Sequence, residues 1–244
     1  MNNTRSNTDF AYVLHSVPYK ETSLIVELFC KEHGRLPVVA KGAKRPHSGL
    51  RAVLVSFQPL SVRFSGKSEV KTLVQAEWLG GLMSPDGKAL FAAYYLNELL
   101  MRGLTREDTH PDLFELYQNT LMGLAGGDDM NVCIRQFEVG LLQCLGYGLD
   151  WQHDRTGAAI DPESHYVWLD EEGWCPSNGG IVNNSTSSGV DQVIQGLLID
   201  EIRNGIWSKP AASALKPITR KLLMTHIAPS GLMSRVWMEH LLRA

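Results

Sequence analysis

Lys41, Lys44, Arg45 and Arg51 fall in one short stretch that holds one His and no acid, and Gly42 and Gly49 bracket most of it. These side chains offer fixed positive charge and no bond chemistry. Such a loop suits a phosphate backbone, which it binds by displacing condensed counterions without reading sequence. Lys67 and Lys71 flank the next turn and extend the track, and Arg63 joins it where its side chain points outward. Phe10, Tyr12, Tyr19, Phe57 and Phe64 are candidates for stacking on bases, against a competing use in filling a small interior. For any one basic loop taken alone, a solvated surface turn is the competing reading.

Other chemistry is excluded by pattern. No G-x-x-x-x-G-K-[ST] occurs, since the span from Gly42 to Gly49 is too long and lacks the closing Lys-Ser/Thr. No G-x-G-x-x-G opens a helix, and neither G-x-S-x-G nor H-E-x-x-H is present. The paired acids Asp128-Asp129, Asp170-Glu171-Glu172 and Asp200-Glu201 are adjacent rather than spaced on one helical face, which reads as solvated turns and helix ends. His153, Asp154, His165 and Cys175 are the only cluster with metal-ligand character, and their spacing matches no zinc motif. No zinc or other cofactor is expected.

The elements that must position the loop change character along the 244 residues. Phe10–His15, Leu24–Phe29, Leu36–Ala40, Phe57–Phe64 and Val70–Trp78 are β-rich runs separated by turn-formers, with Val62 and Phe64 alternating with Arg63 and Ser65. Five short strands in so few residues predict a small closed barrel, and such barrels bind single strands across one face and its adjoining loops. Pro37 inside the third run predicts an edge or a bulge there. The period then turns helical over 89–104, 111–124 and 131–145, with Asn131 as the cap of the third helix and Gly146 as its stop. Further helices are expected at 190–203, 209–226 and 234–242, with Pro217 kinking or splitting its segment. Residues 150–188 read as a loop-rich insertion with one strand at Tyr166–Leu169. The expected organisation is therefore α+β, with a barrel over 1–81 and a mostly helical part over 82–244.

Composition is that of an ordinary globular chain, with 44% hydrophobic and 20% charged residues. The formal net charge of −3 excludes a uniformly basic DNA coat. Divided at residue 81, it resolves into 11 Lys+Arg against 6 Asp+Glu, net +5, and 12 against 20, net −8. The basic half is the half that carries the loop. No apolar run approaches the ~20 residues of a membrane helix, and the polar stretch Met1 to Thr8 lacks a signal-like apolar region. Cys30, Cys133, Cys144 and Cys175 form no C-x-x-C pair and are expected as reduced, buried thiols in a cytoplasmic protein.

Three stretches in order carry a family resemblance. They are Val13-Leu14-His15-Ser16 continuing through Glu21-Thr22-Ser23-Leu24, Gly34-Arg35 and Val39-Ala40-Lys41-Gly42-Ala43-Lys44; Tyr95-Leu96-Asn97-Glu98-Leu99-Leu100; and Arg135-Gln136-Phe137-Glu138 with Leu141-Leu142 and Leu145-Gly146-Tyr147-Gly148. Together they resemble the bacterial recombination-repair mediators of the RecO family, over about residues 10 to 150. The resemblance implies an N-terminal OB-fold, a mostly helical C-terminal domain and, in many members, a small zinc subdomain. It also implies binding to single- and double-stranded DNA, annealing of complementary strands, association with RecR and with the C-terminal tail of single-stranded-DNA-binding protein, and help in loading RecA. It assigns the basic DNA-binding loop to Lys41-Gly42-Ala43-Lys44-Arg45. Where zinc-type members carry two C-x-x-C pairs, this chain has His153-Asp154 and a lone Cys175, which points to a zinc-free variant.

The leading expectation is thus a non-enzymatic, nucleoid-associated DNA repair and recombination mediator, with Lys41, Lys44, Arg45, Arg51, Lys67 and Lys71 on DNA. Arg102, Arg135, Lys216 and Arg220, with Arg106, Lys209 and Lys221 beside them, are candidates for a basic rim that receives an acidic, hydrophobic-ended tail. The alternatives are a helical protein-interaction adaptor whose DNA contact is incidental, and a metal-dependent hydrolase using the His153/His165 region.

Overall fold

The computed structural model describes residues 7–81, 83–177 and 189–234. They form two compact units, one taking the described residues through Gly127 and from Leu232, the other Asp128–Gly231.

In the first unit β1 (Asn7–Tyr19), β2 (Ser23–Cys30), β3 (Gly34–Ala40), β4 (Leu60–Ser65) and β5 (Lys71–Trp78) close into a barrel in the order β1-β2-β3-β5-β4. All pairs are antiparallel except β3–β5. β1 is long enough to pair with β4 through Ala11 and with β2 from Ala11 onward, and a bulge at Val13/His15 bends it between the two partners. Period-two alternation fills the interior: Val26, Leu28, Leu36, Val38, Leu60, Val62 and Phe64 are buried in one cluster while Arg63 is exposed. This is the five-stranded OB-type barrel. Pro37 lies just short of Val38, where pairing with β5 begins, so its missing N–H breaks no ladder bond to β5.

β1 runs beyond the expected Phe10–His15, and the chain ahead of β4 also differs from the sequence reading. β4 begins at Leu60 rather than Phe57, because Phe57 takes a left-handed φ of 67° and turns its ring inward against Tyr94, with ring centroids 4.9 Å apart. The segment ahead of it holds a five-residue helix, α1 (Gly49–Val53), too short to leave a periodic signal.

α2 (Gly87–Gly103) and α3 (Pro111–Gly126) pack on the barrel. Tyr12 and Phe29 meet Phe114 and Tyr117 at centroid distances of 5.2 to 5.9 Å. Buried Asn97 donates through Nδ2 to Leu14 O at 2.9 Å and accepts from Tyr117 Oη at 2.5 Å. Between the helices, Glu107 N donates to Arg35 O at 2.9 Å. Gly34 is required at this crossing: its φ is +63°, and a Cβ there would overlap the Asp108 carbonyl.

The second unit holds α4 (Met130–Cys144), β6 (His165–Leu169), β7 (Gly173–Pro176), β8 (Gly189–Gln195), α5 (Gly196–Arg203) and α6 (Lys209–His226), with the sheet ordered β7-β6-β8. Trp174, Tyr166, Ile194, Ile199, Leu215 and Ile218 share its core. The cap of α4 is Asp129, whose carboxylate accepts from Asn131 N and Val132 N, so Asn131 is inside the helix rather than its cap. The helix expected at 190–203 is strand up to Gln195 and helix only from Gly196, with Val193 and Ile194 pairing on β6. α6 runs through Pro217 without splitting. The carbonyl left without an N–H by Pro217 is that of Ser213, which is exposed to water. The helix expected at 234–242 lies outside the described residues from 235 onward.

Candidate nucleic-acid interface

The basic stretch leaves β3 as a chain of tight turns. Lys44 N donates to Thr22 O at 2.9 Å, Arg45 N to Gly42 O at 3.1 Å and Ser48 N to Arg45 O at 3.1 Å, and Arg51 follows in α1. Ala43 is fully buried in the barrel core, so an apolar pivot inside a charged loop fixes its neighbours outward. Gly42, at φ +72°, makes the turn that brings Arg45 Cδ and Nε back to 3.6 Å from its own Cβ position. Lys41, Lys44, Arg45 and Arg51 are all exposed.

Ion pairing divides the cations of this unit into two groups. Those facing the helices are engaged. Arg35 pairs with Glu27 and donates to the Met101 and Leu104 carbonyls, Arg106 pairs with Glu27 at 2.7 Å and with Glu69, Lys31 pairs with Glu115 at 2.9 Å, and Arg102 pairs with Glu98 at 2.9 Å. Among the described residues, Lys41, Lys44, Arg45, Arg51, Arg63 and Lys67 form no ion pair, and all six are exposed. Lys71 belongs with the first group. Its Nζ lies 2.7 Å from Glu107 and its side chain is only 14% exposed, so it is not a free cation of the track. Nothing near Lys71 in sequence signals this, because Glu107 comes from the connection between α2 and α3. Of the aromatic candidates, Tyr12, Phe57 and Phe64 are core, whereas Phe10 is 54% exposed and Tyr19, with Lys20 Nζ 5.3 Å above its ring, is partly exposed.

The rim candidates also separate. Arg135 is 5% exposed, and its guanidinium is held by fully buried Glu138 and by Thr219 Oγ1 at 2.7 Å. It is an interior residue tying α4 to α6, and the rim reading of Arg135 is withdrawn. Lys216 and Arg220 are exposed one turn apart on α6, while Lys209 pairs with Asp129 at 3.0 Å and Lys221 with Asp170 at 2.7 Å. Arg102 is in the first unit and these residues are in the second.

The residues at the zinc-like position do not fit a metal. Among the described residues no three His, Cys, Asp or Glu side chains gather to hold one. His153 Nδ1 faces Asp150 at 3.4 Å, and Asp154 accepts from Thr156 Oγ1 at 2.6 Å and from two backbone N–H groups of its own turn. Those bonds, led by the Thr156 hydroxyl, hold Asp154 below its ordinary pKa, while burial pushes the Cys175 thiol up and away from the thiolate a metal needs. Cys30, Cys133 and Cys175 are buried and Cys144 is partly buried. Among the described residues no helix is long and apolar enough to cross a membrane.

A closed OB barrel bearing an exposed cationic loop, followed by a helical region with a small sheet, defines the class: an OB-fold protein with a helical C-terminal part. The family model for the recombination protein O N-terminal domain matches residues 1–82, and that for the recombination protein O C-terminal domain matches 84–235. DNA repair protein RecO of Dechloromonas aromatica is 42% identical over 239 residues, covering 96% of each chain. The protein of the same name from Ralstonia nicotianae is 42% identical over 92% of this chain and 81% of its own. That from an Azoarcus species is 39% identical over 98% and 97%. The chain belongs to the recombination protein O family, a family of DNA repair and recombination proteins.

Proposed function

We propose that this protein is a non-enzymatic recombination mediator that binds single- and double-stranded DNA without sequence preference and anneals complementary strands. The observation that carries the reading is the separation of charges in the barrel unit: cations against the helices are paired, and those of the 41–51 loop are exposed and unpaired. Annealing requires that the repulsion between two polyanions be reduced while the bases stay free to pair. Unpaired Lys and Arg on a fixed loop do this by replacing counterions, with no bond made or broken. Family membership supports RecR, the C-terminal tail of single-stranded-DNA-binding protein and, indirectly, RecA as partners. The exposed pair Lys216 and Arg220 supports an acidic tail on α6. The donor atoms committed to their own turn near Asp154 support a zinc-free protein. The same family supports a cytoplasmic, nucleoid-associated location.

An annealing assay with complementary oligonucleotides tests the proposal. The Lys41→Glu/Lys44→Glu/Arg45→Glu variant should anneal at least ~10-fold more slowly than the unaltered protein at moderate salt. Equal rates would remove the loop from the mechanism.

A further inference from the structure

An OB barrel ordinarily takes oligonucleotides on the outer face of its second and third strands. Here that face is closed by the protein itself. Phe29 on β2 is fully buried against Phe114 and Tyr117 of α3. Arg35 on β3 caps the end of α2 through the Met101 and Leu104 carbonyls, and Glu27 is held by Arg35 and Arg106. A strand cannot enter without unpacking the aromatic cluster and breaking the ion pairs that hold Glu27.

The register places a different surface at the level of the loop. β3 pairs with β5 at Val38–Lys71 and Val39–Thr72, and Lys41 opens the loop just past the end of β3. β4 sets Arg63 opposite Gln75, with the bulge at Arg63/Phe64 leaving Val74 as the extra residue. β1 sets Thr8 opposite Arg63 and Phe10 opposite Ser61. With neighbouring strands about 4.8 Å apart, β3, which ends just before Lys41, and β4, which carries Arg63, run roughly 10 Å apart on either side of β5. Phe10 is the diagonal neighbour of Arg63, about 7 to 8 Å away. Phe10 and Val74 are among the few large apolar side chains the barrel leaves exposed, at 54% and 48%. Glu77, opposite Ser61 on β5, accepts from Gln75 Nε2 at 2.5 Å and keeps phosphates to the Arg63 level of the arc.

We propose that single-stranded DNA crosses the β5–β4–β1 side of the barrel, with a base stacked on Phe10 and phosphates held between Lys41 and Arg63. Two cations and then an exposed aromatic follow one another along this arc, which joins backbone charge contacts to a stacking surface as a sequence-blind single-strand site does. The area that α3 covers takes no part, and Phe10 stands at its border, lining an open groove with Phe114, Glu115 and Met122 of α3. The inference rests on the DNA-binding reading above and assigns it a path.

Binding of labelled oligo(dT) and of a duplex to the full chain, followed by anisotropy across a salt series, separates the two. Phe10→Ala should weaken oligo(dT) by roughly 5- to 100-fold, the loss of one stacked base, and leave the duplex unchanged, while Phe10→Tyr retains binding. Arg63→Gln should make the salt slope for oligo(dT) shallower by about 0.7, with Arg63→Lys restoring it. Photocrosslinking of a bromodeoxyuridine oligonucleotide to the unaltered protein should label the peptide containing Phe10, which needs no variant to fold. The path is overturned if Phe10→Ala and Arg63→Gln bind like the unaltered protein, or if the crosslink falls on β2–β3, while the triple loop variant is weakened. If the loop variant too binds normally, the DNA-binding reading falls with it.

Discussion

Glu98 shows how a single carboxylate holds distant parts of the first unit together. It accepts from Met233 N at 3.0 Å, Ser234 N at 2.8 Å and Ser234 Oγ at 2.6 Å, and pairs with Arg102 one turn along α2. Burial alone raises its pKa, but the bonds from Ser234, Met233 and Arg102 together outweigh burial and hold it below the ordinary carboxylate value. Its stabilising contribution is therefore complete above the unfolded value near ~4.3 and is lost as pH falls through the depressed folded value. Thermal melts should show Glu98→Gln below the unaltered protein by a constant margin from about pH 8 to 5, with the margin closing below about pH 4. A margin that does not change with pH would mean that the charge is irrelevant. The local sequence shows only the Arg102 pair, because the Met233 and Ser234 partners of Glu98 stand more than 130 residues away. Phe10 and Tyr12 make the same point: both read as barrel aromatics, yet Tyr12 is covered by α3 and Phe10 is left open.

Element by element, legibility followed local signals. The alternation of Leu60, Val62 and Phe64 with Arg63 revealed a wet and a dry face, and the helical stripes of α2, α3 and α4 were read to within a few residues. The failures came where tertiary pairing overrode local pattern. Val193 and Ile194 carry an apolar run that suits either state, and pairing with β6 decides for strand. Pro217 was expected to kink or split its helix, but Ala212, Ala214, Leu215, Ile218 and Thr219 are buried on both sides of it and α6 stays a single helix. The helix thus persists despite a missing backbone bond. Pro217→Ala supplies that N–H and should raise stability in urea unfolding by about 1 to 3 kcal/mol. A lower midpoint would show that the proline ring itself is needed for packing in the second unit.

For the whole molecule, a formal charge of −3 conceals a basic N-terminal third and an acidic remainder. Structure sharpens the division, since Glu27, Glu69, Glu98, Glu107 and Glu115 pair with the helix-facing cations of the barrel unit, while the loop cations, Arg63 and Lys67, with Lys20 and Lys88 elsewhere in the unit, form no ion pair among the described residues. The loop is legible as a run of charge without acids; the pairing of Lys71 with Glu107 and of Arg135 with Glu138 is not, because a charge count does not locate partners. The direct test of the account is the salt dependence of single-strand binding by Lys41→Glu/Lys44→Glu/Arg45→Glu. The slope of log K against log salt should become shallower by about 2, roughly 0.7 for each lost phosphate contact, with affinity reduced equally for unrelated sequences. An unchanged slope and affinity would contradict it.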